Sequence, residues 1–267
     1  MAVRLPVMAS MIELTDREWV IVRDLFDPKG RRGVPARFRR RDMVDAILFL
    51  ARTGCQWRYL PAKYPPWEAV WEQWRRWRAS GVWAQAMGRI ARIIRARHRR
   101  KAEPTMVMID AQTVRGGRAG PTFHNAGGRG GRTIGAKRSI LIEILGLPLA
   151  VRVDPAKPHD VRSGRELLDE RLPELPNVAA IVADRGYRGL AALAARRGMT
   201  LDIKAPPKGT KGFTPLRPLY KVEHAFARLG RWRRLSRCYE GTEASAKAWL
   251  EVAATAYLSA RLRVVPP

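Results

Sequence analysis

Residues 178–184 read Val-Ala-Ala-Ile-Val-Ala-Asp, and residues 106–110 read Met-Val-Met-Ile-Asp, so two short apolar runs each end in an aspartate. Apolar runs of this length predict strands buried in a sheet. Asp110 and Asp184 would then lie at the carboxyl edge of that sheet, where α/β proteins bind ligands. If the two strands are parallel neighbours, they lie roughly 4.8 Å apart and their carboxylates can share divalent cations.

Strand and helix patterns alternate around these two runs. Strands are predicted at 139–145 and 149–153, joined as a hairpin by Gly146-Leu147-Pro148, and again at 200–204. Helices are predicted at 161–171, 188–197, about 219–231 and 243–262. The pattern predicts an α/β fold with a mixed sheet flanked by helices.

The first hundred residues have a different, helical periodicity. Thr15 and Glu18 form a capping box at the start of the first helix, and further helices are predicted at 40–53, from about 66 to 81, and at 82–100. We therefore expect a small all-α domain at 11–103 and a catalytic domain at 104–267. Seven of the nine tryptophans lie in residues 1–83, and their helical spacing favours packing in a core over stacking on bases.

The charge points to a polyanionic partner. The chain has 51 basic and 24 acidic side chains, a net charge of +27. Both parts of the chain contribute: residues 1–103 have 23 basic and 10 acidic side chains, and residues 104–267 have 28 basic and 14 acidic side chains. Nucleic acid is the first partner to consider for such a chain. No apolar run or leader pattern predicts a membrane span, so we expect a cytoplasmic protein associated with the nucleoid.

The acidic residues indicate which metal ion the chain could bind. Glu223, on the predicted helix at 219–231, offers a third carboxylate besides Asp110 and Asp184, and no histidine or cysteine cluster has metal-ligand spacing. Three carboxylates favour a hard cation, and two Mg²⁺ ions, for which Mn²⁺ can substitute, would suit phosphodiester cleavage and transfer. For any single residue the alternative stays open, because an aspartate after a strand is more often a turn former or a helix cap.

Asp154 also follows an apolar strand and competes for the same role. In a sheet of order 3-2-1-4-5 it would lie two strands away from Asp110, roughly 10 Å by strand spacing, which is too far to share a metal ion. Asp160 is interpreted as the cap of the helix at 161–171, and Asp202 lies within a strand.

Four blocks of the sequence, in order, resemble the DDE transposases of bacterial insertion sequences of the IS-five type. The N-terminal stretch from LTDREWVIVRDLF (14–26) to RASGVW is similar to that family's N-terminal domain. MIDAQTVR (108–115), IVADRGY (181–187) and YKVEHAFARLGRWRRLSRCYE (220–240) resemble its three catalytic motifs. The resemblance covers residues 13 to 262 and rests on the order of the blocks.

This resemblance implies a ribonuclease H-like catalytic fold and dependence on Mg²⁺. It also implies binding to double-stranded DNA at the terminal inverted repeats and at the target, and assembly as at least a homodimer. Asp110, Asp184 and Glu223 match the family's catalytic and metal-binding triad. The chain departs from the motifs at three positions, Arg185, Leu219 and Arg228. An arginine is common at the position of Leu219, so Arg217 or Lys221 would have to substitute for it.

Several arginines and lysines are candidate DNA contacts, because guanidinium and ammonium groups bind phosphates. Residues 115–138 contain eight glycines, six basic residues and no acid, which is equally typical of a basic loop without a fixed structure. The candidates are Arg75, Arg76 and Arg78 at one helix end, Arg115, Arg118, Arg129, Arg132, Lys137 and Arg138 in the glycine-rich segment, and Arg185, Arg231, Arg233 and Arg234 near the triad.

Two alternatives to a transposase remain open on the sequence. One is a structure-selective DNA nuclease with the same fold. The other is a regulatory or domesticated protein that binds the DNA ends without cutting them. Three intact carboxylates disfavour the second, because an acidic cluster that faces phosphates does not help a protein that only binds DNA.

Overall fold

The structure is a computed structural model that describes residues 13–28, 36–117, 124–125, 134–206 and 216–264. The α-helices within them are α1 (Asp16–Phe26), α2 (Arg40–Thr53), α3 (Trp67–Ser80), α4 (Val82–Arg97), α5 (Asp160–Arg171), α6 (Ala191–Arg196), α7 (Tyr220–Leu229) and α8 (Glu243–Val264). The strands are β1 (Met106–Arg115), β2 (His124–Asn125), β3 (Ile134–Glu143), β4 (Pro148–Pro155), β5 (Ala180–Asp184) and β6 (Thr200–Lys204).

The strands form one mixed sheet. β4 and the two-residue β2 both pair with β3, and the order then continues through β1 and β5 to β6. Apart from β2, the five main strands thus have the order 3-2-1-4-5, the order under which Asp154 lies two strands from Asp110. The pairs of β3 with β1 and with β4 are antiparallel, whereas β1–β5 and β5–β6 are parallel.

The N-terminal helices follow the sequence signals closely. Thr15 and Glu18 exchange the two hydrogen bonds of a capping box at the start of α1. α2 ends at Gly54, whose positive φ of 69° suits glycine, and a Cβ there would lie 3.0 Å from the Cβ of Arg233. Because residue 54 has no side chain, the end of α2 can approach the segment that follows α7.

Helix α8 joins the helical region to the sheet. It packs against helices α2, α4 and α7 and against strand β4. Its Trp249 stacks on Trp74 of α3, with ring centroids 4.3 Å apart, and both indoles are buried. A single hydrophobic core therefore extends from the N-terminal helices into the sheet. Most tryptophans of the first region contribute to it, as their spacing predicts, while Trp71 is 37% exposed.

A buried ion pair adds a second connection between the two regions. Arg95 of α4 pairs with Glu143 at the end of β3, and the two side chains are 6% and 0% exposed. The Arg95 guanidinium also donates to the carbonyls of Lys101 and Ala102, and Glu143 accepts from the backbone N–H groups of Leu145 and Leu147. The pair thus fixes the turn after α4 and the β3–β4 hairpin together.

The structure corrects several predicted boundaries. β1 continues five residues beyond Asp110, because β3 pairs with it as far as Arg115. For the same reason β3 begins at Ile134, inside the segment predicted as a glycine-rich loop. Asp160 is the first residue of α5 rather than its cap, which is His159. The helix predicted at 188–197 is a 3₁₀ segment at Arg185–Leu190 followed by α6.

No helix in the described part of the chain is long and apolar enough to cross a bilayer. The longest, α8, has 22 residues and carries charged side chains such as Lys247, Glu251 and Arg261 along its length. Its buried side chains pack within the chain itself.

We expect Glu143→Ala to lower the free energy of unfolding by about 3–5 kcal/mol, because it leaves the buried Arg95 charge without its partner. Urea denaturation followed by tryptophan fluorescence measures this change. Arg162→Ala is the control, since it breaks the exposed pair with Glu166 and should cost less than about 0.5 kcal/mol. A similar, small loss in both variants would contradict the structural role of the buried pair.

Candidate active site

Asp110 and Asp184 lie at the same level of two neighbouring parallel strands. The β1–β5 register pairs Met106 with Ala180 and Met108 with Val182, a constant offset of 74 residues. Carried on by two residues, the same offset places Asp110 opposite Asp184. Parallel neighbours are roughly 4.8 Å apart, and residues at even spacing along a strand point to the same face. The two carboxylates therefore project from adjacent strands on one face of the sheet.

Each aspartate is held by a backbone N–H group that follows it. Oδ1 of Asp110 accepts from Ala111 at 2.8 Å, and Oδ1 of Asp184 accepts from Gly186, also at 2.8 Å. A Cβ at residue 186 would lie 3.0 Å from that same Oδ1, so a glycine suits this close approach. Asp184 thus caps a 3₁₀ turn, which is the helix-cap role that an aspartate after a strand often has. Within the described residues, Oδ2 of each carboxylate makes no hydrogen bond.

The negative charges of several carboxylates act on Asp110. The pKa of Asp110 is raised to about 7, chiefly by burial. The charges of Asp184, Asp160 and Glu223 add to the rise, and the hydrogen bond from Ala111 opposes it. Repulsion of this kind requires that the acids lie near one another. The three residues of the predicted triad therefore belong to one electrostatic cluster, and Asp160 is a fourth member that the sequence did not indicate.

Glu223 reaches the cluster from a helix. It lies in the first turn of α7, which buries Val222, Ala225, Phe226 and Leu229, and Glu223 itself is exposed. Its charge is the weakest of the three that act on Asp110. The neighbouring His224 is also exposed, and its ring meets that of Tyr220 edge-on at 5.3 Å.

The cluster suits a divalent cation in its donor chemistry. Carboxylate oxygens are the ligands that Mg²⁺ and Mn²⁺ take. A bound cation would favour the ionised form of Asp110, whose pKa is raised chiefly by burial and also by the neighbouring acids. Among the described residues, however, no three acidic, histidine or cysteine side chains already converge as a metal site. Metal binding would therefore have to draw these carboxylates closer together.

Other acids near the sheet are engaged in ion pairs. Asp154 lies on β4, two strands from β1, which is the separation that excluded it from the site. Its carboxylate is paired with Arg152 at 2.8 Å. Asp202 on β6 pairs with Lys204 at 2.7 Å. Asp160 is paired with the ammonium group of Lys137 at 2.5 Å, so the fourth member of the cluster carries its own counter-charge.

The candidate DNA contacts differ in accessibility. Lys137 and Arg138 are both 5% exposed. Lys137 bonds to the carbonyl of Pro158, and Arg138 bonds to the carbonyls of Leu235 and Arg237, so the two cations hold the fold together and are not offered to a ligand. Sequence patterns missed this, because strand β3 extends into the basic segment.

The remaining basic candidates lie mostly on the surface. Arg234 is partly buried, pairs with Glu240 at 2.7 Å and lies over the ring of Trp249. The exposed or half-exposed candidates are Arg75, Arg76, Arg78, Arg115, Arg185, Arg231 and Arg233. Arg118, Arg129 and Arg132 lie outside the described residues.

The departures from the family motifs have structural counterparts. Leu219 is 7% exposed and packs in the core, so its position offers no cation to the site. Lys221 donates to the carbonyl of Ile144, whereas Arg217 is exposed. Arg185 donates to the carbonyl of Pro206 at 3.0 Å, and Arg228 lies over the ring of Tyr257.

Comparison with known proteins yields two family matches. The family described as "Transposase DDE domain" matches residues 101–258, which contain the whole sheet and all three carboxylates. The family described as transposase of the IS4/5 family matches residues 14–87, which form most of the N-terminal helical region. No solved structure matches the chain.

Two curated proteins are similar to parts of the chain. The protein y4sN of Sinorhizobium fredii is 34% identical over 105 residues, which make up 38% of this chain and 75% of that protein. The 16.2 kDa protein of insertion element IS402 from Burkholderia cepacia is 37% identical over 76 residues, which make up 26% of this chain and 52% of that protein. The chain thus spans only about half the length of the second relative.

We expect Asp110→Asn to stabilise the metal-free protein. The pKa of Asp110 is raised to about 7, so ionisation of this carboxyl costs the folded state stability as the pH rises through that value. Asparagine keeps an acceptor for the Ala111 N–H and removes the charge, so at about pH 8 the free energy of unfolding should rise by about 1–3 kcal/mol.

Urea denaturation in the presence of a chelator measures this gain. Asp202→Asn, which removes an exposed carboxylate of β6 outside the cluster, is the matched control and should change stability by less than about 0.5 kcal/mol. A destabilised Asp110→Asn protein would show that the carboxylate cluster is not under repulsion.

Proposed function

Because this chain belongs to the transposase DDE domain family, whose members cleave and join DNA strands, we propose that Asp110, Asp184 and Glu223 are its catalytic carboxylates. The observation that carries the proposal is the β1–β5 register, which brings Asp110 and Asp184 to one level of the sheet. The repulsion between Asp110, Asp184 and Glu223 supports placing the third acid in the same cluster.

We further propose that the cluster binds two Mg²⁺ ions, or Mn²⁺ in their place. The Oδ2 atoms of Asp110 and Asp184 are the donors left open by the backbone hydrogen bonds, and Glu223 completes the set from α7. When bound, two such ions neutralise the scissile phosphate, activate the attacking oxygen and stabilise the leaving 3′ oxygen. One phosphodiester replaces another in strand transfer, so no external energy source is required.

Exposed arginines that follow β5 and α7 in the chain supply the proposed DNA contacts. Arg231 and Arg233 follow α7 directly, and Arg185 follows Asp184. The end of α2 packs on the same segment, with Arg52 donating to the Arg231 carbonyl at 3.0 Å. A duplex lying across this region would therefore meet both the helical and the catalytic parts of the chain.

The helical region (11–103) is proposed to recognise the terminal inverted repeats, with Arg75, Arg76 and Arg78 among its phosphate contacts. The catalytic region (104–267) is proposed to act on those ends and on the target DNA. This division is one of roles, since a single hydrophobic core runs across the boundary. Two ends must be held together for strand transfer, so the active form is proposed to be at least a homodimer, associated with the nucleoid through its DNA.

Isosteric removal of any proposed catalytic charge is expected to abolish Mg²⁺-dependent cleavage of the 3′ ends. The variants are Asp110→Asn, Asp184→Asn and Glu223→Gln, tested on duplexes that carry the inverted repeats flanking the gene. Binding of those ends, followed by mobility shift, should be largely kept, because the variants remove no basic group. Asp202→Asn is the control with unchanged cleavage, and a wild-type rate in any of the three variants would contradict the assignment.

Binding to the DNA ends is expected to depend steeply on salt. If six or more phosphates are contacted, affinity should fall by about 10³-fold or more between roughly 50 and 200 mM monovalent salt. Replacing Arg233 by Gln should reduce the slope of log affinity against log salt by about one. The matched control is Arg162→Gln on the exposed face of α5, whose slope should equal that of the wild type, and a flat salt response in the wild type would contradict phosphate-dominated binding.

A further inference from the structure

The hydroxyl of Tyr187 is a buried polar group without a hydrogen-bond partner, three residues beyond Asp184. The side chain is 1% exposed, and its oxygen has no partner within the described residues. A buried hydroxyl that has given up its water and gained no hydrogen bond lowers the stability of the folded state. Such a group in a native protein calls for an explanation.

The tyrosine ring is wedged between α5 and β1. A Cβ added at Gly164 of α5 would lie 2.8 Å from Cε1 of Tyr187 and 3.1 Å from Cδ1 of Ile109. Only a residue without a side chain at position 164 lets the ring lie this deep. Ile109 directly precedes Asp110 on β1, so the ring packs against the strand that carries the proposed catalytic carboxylate.

The surroundings of the phenol are both apolar and negatively charged. Burial raises the pKa of Tyr187, and the charges of Asp110, Asp160 and Asp184 raise it further, with Asp110 first among them. The hydroxyl therefore keeps its proton and remains a hydrogen-bond donor. Three carboxylates near an unused donor are its most obvious acceptors, although none is bonded to it in the metal-free arrangement.

We propose that Tyr187 is a positioning residue whose hydroxyl donates to the Asp110 carboxylate when the carboxylates close on divalent cations, an inference that rests on the proposed function. Carboxylates that bind metal ions are themselves usually hydrogen-bonded, which orients the ligating oxygen. Ala111 already holds Oδ1 of Asp110, and a bond from Tyr187 would fix the carboxylate from a second direction. The bond would also give the buried hydroxyl, which has no partner within the described residues, an acceptor.

Tyr187→Phe removes only the oxygen and so separates this role from packing. The metal-free protein loses no hydrogen bond, so its melting temperature should stay the same or rise by up to about 4 °C. The metal-bound protein loses the proposed bond, so the dissociation constant for Mn²⁺ should increase roughly tenfold, equivalent to about 1.4 kcal/mol.

The experiment uses the full chain without DNA and Mn²⁺ alone as the probe. Mn²⁺ binding is measured by electron paramagnetic resonance, and thermal unfolding is measured in a chelator. Tyr64→Phe is the matched control: Tyr64 is also buried, but its hydroxyl donates to Oε1 of Glu13 at 2.7 Å. That variant should lose stability without metal and keep the wild-type affinity for Mn²⁺.

Asp184→Asn in the same series separates failure of this inference from failure of the proposed function. Weaker Mn²⁺ binding by Tyr187→Phe, with no loss of metal-free stability, is the expected result. If Asp184→Asn weakens Mn²⁺ binding but Tyr187→Phe does not, the role of Tyr187 is overturned and the metal site stands. If Tyr187→Phe loses as much metal-free stability as Tyr64→Phe, the hydroxyl is structural and the inference is also overturned. Equal Mn²⁺ affinity of wild type and Asp184→Asn would contradict the proposed metal site itself.

Discussion

The parallel pairing of β1 with β5 is the constraint on which the candidate site depends. Parallel strands cannot be joined by a tight turn, so the chain must leave the sheet between them and return through a crossover. Here the chain first forms the β3–β4 hairpin and then α5 before it enters β5. The crossover brings two carboxylates, 74 residues apart in sequence, to one level. A slip of one residue in either strand would turn one of them to the opposite face.

The position of the third acid depends on a different set of contacts. Glu223 lies on α7, which is fixed by its apolar face against β1 and α8. Helix α8 in turn is held by the stack of Trp74 on Trp249 and by the packing of α4. The N-terminal helices therefore support the region that carries the three proposed catalytic acids.

Sequence reasoning recovered the elements that local signals define. The capping box of Thr15, the glycine stops at 54 and 81, and the apolar runs before Asp110 and Asp184 all correspond to observed boundaries or strands. The mixed sheet with helices on its faces followed from the strand and helix patterns, whereas its strand order is set by tertiary pairing. What failed depended on tertiary pairing: β3 extends into a glycine-rich segment because β1 is there to pair with it. Lys137 and Arg138 consequently became part of the interior.

The site residues that the sequence missed could not have been found from local patterns. Asp160 resembles an ordinary helix-start acid, and only the fold brings it into the field of Asp110. Tyr187 lies inside a recognised motif, yet its significance comes from a negative observation, a hydroxyl without a partner. The buried Asp110 carboxyl beside other acids and the Tyr187 hydroxyl without a partner within the described residues both lower the stability of the fold. Local sequence patterns identify residues whose charges and hydrogen bonds are balanced by their neighbours. They do not identify residues such as Asp110 and Tyr187, whose unfavourable burial is explained only by a proposed ligand.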